Sequence, residues 1–290
     1  MSRLPATPFP ETAADENDTL AAARTGDRDA QDALLRRHEP WVFHLALRMV
    51  WQRETAEDAT QEILLRAARG LPSFSGKSTF RTWLYRIAVN HLLDVRQSEL
   101  ELRRATFADF ASSLVECADQ DLPDPSTLPI DHALLVEEAK LGCMTAMLMC
   151  LDRRQRLAFV LGEVFGVDSA TGGEILDVTK DHFRQLLARA RDDLYQFVNG
   201  HCGLVDARNP CRCARKASAF RERGWLDPHR LQFATGRLDS VRDLAPHRLD
   251  ELQALDRAHA DLFRAVPLAD PGDLTARLRA LLDASPLADD

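Results

Sequence analysis

SATGGEILDVTKDHFRQLLARAR, Ser169 to Arg191, reads as a helix, the three-residue turn Asp177-Val178-Thr179, and a second helix. That spacing is the helix-turn-helix arrangement, in which the second helix enters the major groove of DNA. Phe183, Leu187 and Ala190 form an inward stripe, leaving Lys180, Arg184, Gln185 and Arg191 outward, with His182 and Arg189 also in reach. From Lys180 to Arg191 there are four basic residues against one acid, Asp181. Arg and Gln can pair with guanine or adenine edges. Taken alone, the same face also fits an ordinary solvated charged helix.

Working outward, Asp152 and Gln155 make a cap-like pair opening a helix through Val164. Leu134, Leu135, Leu141, Met144 and Leu148 supply the core stripe of a helix before it, so a unit over 131–199 is expected. Residues 105–130 carry Pro123, Pro125 and Pro129 among acids and read as an acidic, flexible linker. Before it, 17–104 reads as a bundle of about four helices. Pro40 is placed to open a helix, Thr55 to Asp58 resemble a capping box, and Gly70 and Pro72 end a helix. Ser78 is placed to cap the next helix, FRTWLYRIAVNHLLDVRQ. Residues 1–16 read as a disordered lead-in. The expected fold is all-α: two helical domains joined by the linker, plus a helical C-terminal extension over 200–290.

Composition agrees. Hydrophobic residues make up 45% of the 290 and aromatics 7%, with long stretches free of Gly and Pro, which favours helices. No run approaches the roughly 20 apolar residues of a membrane span, and no secretory signal is visible, so a cytoplasmic location and reduced cysteines are expected. The net charge of −8 hides segregation. Arg66 to Arg104 holds eight basic residues against three acids; Ala105 to Ala139 holds eight acids and no Lys or Arg. Separate basic faces with an acidic connector suit a nucleic-acid partner.

The string DATQEILLRAARGLPSFSGKSTFRTWLYRIAVNHLLDVRQ (Asp58 to Gln97) closely resembles region 2 of extracytoplasmic-function, or group 4, RNA polymerase sigma factors. MCLDRRQRLAFVLGEVFGVDSATGGEILDVTKDHFRQLLARARDDL (Met149 to Leu194) resembles their region 4, in the expected order and separation. The resemblance implies a non-catalytic subunit that binds core polymerase and promoter DNA, melts it and starts transcription at a subset of genes. It implies the β′ clamp helices and β flap as polymerase contacts, an anti-sigma factor as a further candidate partner, and no cofactor. Asp58, Gln61, Glu62 and Leu65 would grip the clamp helices. Phe74, Lys77, Ser78 and Asn90 would capture a base flipped from the minus-10 element. Arg81 and Arg86, with Arg96 beyond, would hold its phosphates, and Trp83 is taken as core. Lys180, His182, Arg184, Gln185 and Arg189 would read the minus-35 element. The chain departs from the family at Asp177, where Gly is usual, at Leu151-Asp152, where Leu-Pro is usual, and at Leu186, where Arg is frequent and a phosphate contact is lost.

His201, Cys202, Cys211 and Cys213 form a Cys-bearing cluster, a candidate zinc site although C-x-C spacing is uncommon for structural zinc. A regulatory disulfide is a further alternative, and reduced thiols that pack the tail against the preceding helix are the favoured reading. The stretches LDELQALDRAHADLF and DLTARLRALL make the tail amphipathic. A self-sufficient dimeric DNA-binding regulator is the rival reading; no nucleophile motif or phosphate-binding Gly loop supports an enzyme.

Overall fold

The computed structural model describes residues 14–95, 106–116, 132–229, 231 and 233. Residues 1–13, Arg96, 117–131 and the two amphipathic tail stretches lie outside the described residues. Helices α1 (Ala14–Arg24), α2 (Arg28–Val50), α3 (Arg53–Gly70) and α4 (Phe80–Asp94) make the first bundle. A helix α5 (Phe107–Glu116) follows. The second unit consists of α6 (His132–Met149), α7 (Arg153–Phe159, continued by a π-turn to Val164), α8 (Ser169–Leu176) and α9 (Lys180–His201), and the extension adds α10 (Cys213–Glu222). Among the described residues there is no strand, only one isolated bridge between Cys202 and Cys211.

Helix α2 is the axle of the first bundle. Asp27 caps it, its carboxylate accepting from the Asp29 and Ala30 amides at 3.0 Å each, and Trp41, Phe43 and Leu45 are buried. Burying each such side chain is worth about 1.5–3 kcal/mol, so the three together outweigh the roughly 3 kcal/mol that a proline inside a helix costs. That is why α2 runs straight through Pro40, where a new helix was expected to open. Two further start signals are displaced. Gln52, not Thr55, stands at the N-cap of α3, and its side chain accepts from the Thr55 hydroxyl. Thr79, not Ser78, caps α4, accepting from the Thr82 amide at 3.1 Å. Helix α1 also begins at Ala14, inside the segment expected to be disordered, and its Glu16 is buried beside Arg37 and His38.

The linker is not structureless. Helix α5 lies within it, and its Phe107 and Phe110 rings sit 5.4 and 5.6 Å from Phe197 of α9 while Leu114 is buried. The Asp152–Gln155 capping box of α7 forms in full. The buried side chains of both units run together into one core. Helix α8 packs on α4, and α6 and α7 on α2.

Candidate nucleic-acid and polymerase interfaces

The helix-turn-helix is assembled from three local devices. Asp168 caps α8, accepting from the Ala170 and Thr171 amides at 2.8 and 3.1 Å. Asp177 closes the turn in the left-handed region (φ 53°, ψ 50°), the conformation that glycine usually supplies and that Asp tolerates. Gly172 lets the Phe183 ring of α9 sit against the α8 backbone, where a Cβ would lie 2.4 Å from it. Phe183, Leu187 and Ala190 are buried as expected. Leu186 is buried as well, so the position where the family often carries Arg is a core position here.

This packing leaves Lys180, His182, Arg184, Gln185 and Arg189 exposed along α9. Arg184 approaches Asp181 at 3.3 Å with both side chains exposed, a pairing too weak to withhold the guanidinium from a base. Arg191 is committed elsewhere, to the buried carboxylate of Glu163.

On α4, Arg86 and Asn90 are exposed one turn apart. Lys77 is exposed in the preceding loop; Arg81 and Ser78 are half-buried, and the Ser78 hydroxyl donates to the Thr79 carbonyl. Phe74 corrects the sequence reading. It is 4% exposed, with its ring 6.0 Å from Phe80 and 5.2 Å from Trp83, so it is core that fixes the loop rather than a base contact. Trp83 packs in the same aromatic cluster. Tyr85 is buried 4.3 Å from Trp41, and burial pushes its phenol pKa up.

Asp58, Gln61, Glu62 and Leu65 follow i, i+3, i+4, i+7 spacing and share one face of α3. Asp58 is exposed and the other three half-buried; Glu62 accepts from Arg66 at 2.6 Å.

The Cys cluster lies at the junction of α9, α10 and α6. His201 points back along α9, its Nδ1 3.0 Å from the Phe197 carbonyl and its ring stacked on Phe197 at 4.6 Å. The bridge pairs Cys202 with Cys211, Cys213 starts α10, and Cys143 of α6, which sequence reasoning missed, joins them. Burial pushes the Cys213 thiol up to about 12, with Cys202 and Cys211 adding to the shift. Among the described residues no group of three or more His, Cys, Asp or Glu side chains is arranged to hold a metal ion, and the cysteines there form no disulfide. The cluster instead packs the extension on α6. None of the described helices is long and apolar enough to cross a membrane.

The Sigma-70 region 2 family model matches residues 34–105. The ECF RNA polymerase sigma factor SigM of Mycobacterium tuberculosis is 34% identical over 181 residues, covering 62% of this chain and 82% of SigM. The ECF RNA polymerase sigma-E factor of Haemophilus influenzae is 45% identical over 169 residues, covering 58% of this chain and 86% of that protein. SigG of Mycobacterium tuberculosis, also an ECF RNA polymerase sigma factor, is 33% identical over 186 residues, and the chain spans only 49% of its length. A region 2 bundle, a helix-turn-helix behind it and matches over most of the length of two relatives place the chain in one family: it belongs to the ECF RNA polymerase sigma factors.

Proposed function

We propose that this chain is a promoter-specificity subunit of RNA polymerase, acting without a cofactor in the cytoplasm. The observation that carries the reading is the face of α9, where five polar or basic side chains are exposed above a fully buried apolar stripe at the second helix of a helix-turn-helix. Arg184 and Gln185 would read the upstream element, with Lys180, His182 and Arg189 on phosphates or base edges. Asn90 would take the edge of a flipped minus-10 base, with Arg81, Arg86, Lys77 and Ser78 holding the strand around it. The α3 face from Asp58 to Leu65 would bind the β′ clamp helices, and the second unit the β flap.

Transcription in vitro with core polymerase and a genomic library tests the whole reading. Promoter-specific transcripts that depend on this chain are expected; their absence would overturn it. Arg184→Ala should weaken upstream-element binding by about 1–3 kcal/mol and relax specificity at one base pair. Asn90→Ala should spare double-stranded binding and reduce permanganate-reactive open complexes.

A further inference from the structure

Two thiols are held side by side at the C-terminal end of α9. Cys202 caps that end, its amide donating to the Val198 carbonyl at 2.9 Å, and Cys211 stands two residues before α10 begins. The chain between them doubles back so that the two residues pair as neighbouring strands do. Backbones paired in this way run about 4.8 Å apart, inside the roughly 4.4–6.8 Å separation of Cα atoms that a disulfide spans. Both thiols are reduced in the structure.

The loop that brings them together is tightly built. Asn209 donates through Nδ2 to the Asn199 and Cys202 carbonyls at 2.8 and 3.0 Å. Arg212 donates to the Ala207 and Cys211 carbonyls at 2.6 and 2.9 Å, and to the Asn209 carbonyl as well. At Gly203 a Cβ would stand 2.2 Å from the Cys211 carbonyl oxygen and from the Arg212 guanidinium, so glycine is what lets the two arms of the loop approach. Fixed neighbours make a reaction between their sulfurs intramolecular, which favours it strongly over reaction with a second molecule.

The clustered thiols are not equivalent. Burial pushes the Cys202 thiol up, but the Leu204 and Val205 amides and the Arg212 guanidinium face its sulfur and pull the other way by stabilising the thiolate. Burial pushes Cys213 and Cys143 up too, and there the neighbouring thiols add to the shift. Of these three, Cys202 has the sulfur best supplied with partners for negative charge, and Cys211 is its backbone neighbour.

We propose that Cys202 and Cys211 are a peroxide-reactive dithiol: the Cys202 thiolate attacks hydrogen peroxide, and Cys211 closes the resulting sulfenic acid to a reversible disulfide. In the first step the Cys202 sulfur takes one oxygen as the O–O bond breaks, and the other oxygen leaves as water. In the second the Cys211 sulfur forms the S–S bond and displaces the bound oxygen as a second water. The two thiols give up two electrons and two protons, and one peroxide is consumed until a thiol reductant reopens the bond. The bond closes a ring from the cap of α9 to the approach of α10, fixing the point where the extension leaves the helix-turn-helix unit.

The test treats the full reduced chain with a few equivalents of hydrogen peroxide, alkylates it and digests it with trypsin without reduction. Cleavage after Arg208 separates the two cysteines, so the expected product is peptide 192–208 joined to peptide 209–212, parted again by dithiothreitol. In Cys202→Ser the loss of thiols to peroxide should slow at least about tenfold. In Cys211→Ser the Cys202 sulfenic acid should persist and be trapped by dimedone. A main product joining 209–212 to 213–215, wild-type thiol loss in Cys202→Ser, or no trapped sulfenic acid in Cys211→Ser would overturn the dithiol. So would a bound metal that shields these thiols from peroxide. Should either serine variant lose its helical circular dichroism, the wild-type peptide map decides alone. Promoter reading is tested apart, by transcription with core polymerase, and stands or falls without this site.

Discussion

A single methyl group added at Gly172 would stand 2.4 Å from the Phe183 ring, and a fully buried ring has nowhere to retreat. Gly172→Ala should therefore destabilise the protein by about 1–3 kcal/mol, read as a lower urea midpoint, and shift α9 enough to weaken upstream binding further. Gly200, with open space around its Cβ position, is the matching control and should accept Ala silently. Arg156 poses the opposite problem, since its guanidinium satisfies carbonyls at the ends of two helices. Arg156→Ala leaves them buried without that donor and should cost at least about 2 kcal/mol in the same melt. In the sequence Arg156 looks like any surface arginine, because partners 107 residues away leave no periodicity behind. Phe74 misleads for the converse reason: a loop position suggests contact with DNA, and only the assembled aromatic cluster reveals that the ring is inside.

Among the elements, α8 depends most on its cap. The Asp168 carboxyl titrates below its usual range, chiefly through its hydrogen bond from the Thr171 hydroxyl and then from the backbone amides. A depressed carboxyl stabilises the fold above its unfolded value near about 3.9, and that contribution is lost as pH falls through the lower folded value. Asp168→Ala should cost about 1 kcal/mol at pH 7, and the gap from wild type should close in melts below about pH 4. Asp168→Asn, an equally good cap, should keep stability at pH 7 and lose the acid dependence. The turn at Asp177 and the helices on either side were legible in the residues because caps, turn and apolar stripe agree. Helix α5 was missed: Phe107, Phe110 and Leu114 are spaced as a helical stripe, but the surrounding acids and prolines outweighed it. Pro40 shows a breaker losing to the burial on either side of it.

Across the molecule, two sequence units share one core, and this shows in how the protein comes apart. Calorimetry of the full chain should give a single transition whose van't Hoff and calorimetric enthalpies agree; two well-separated peaks would contradict a common core. The units themselves and the exposed reading face of α9 follow from local pattern, whereas their contact follows from arginines on carbonyls and from a tail residue, neither of which a pattern announces. The tail contact of Phe233 with Glu138 and Trp51 also comes late in the chain. Both reading units are complete by His201, and Phe233 lies 32 residues further on. At about 5–20 residues per second, a ribosome takes roughly 2–6 s to make that stretch. Each new molecule can therefore join its two halves through their shared core before its tail has been made.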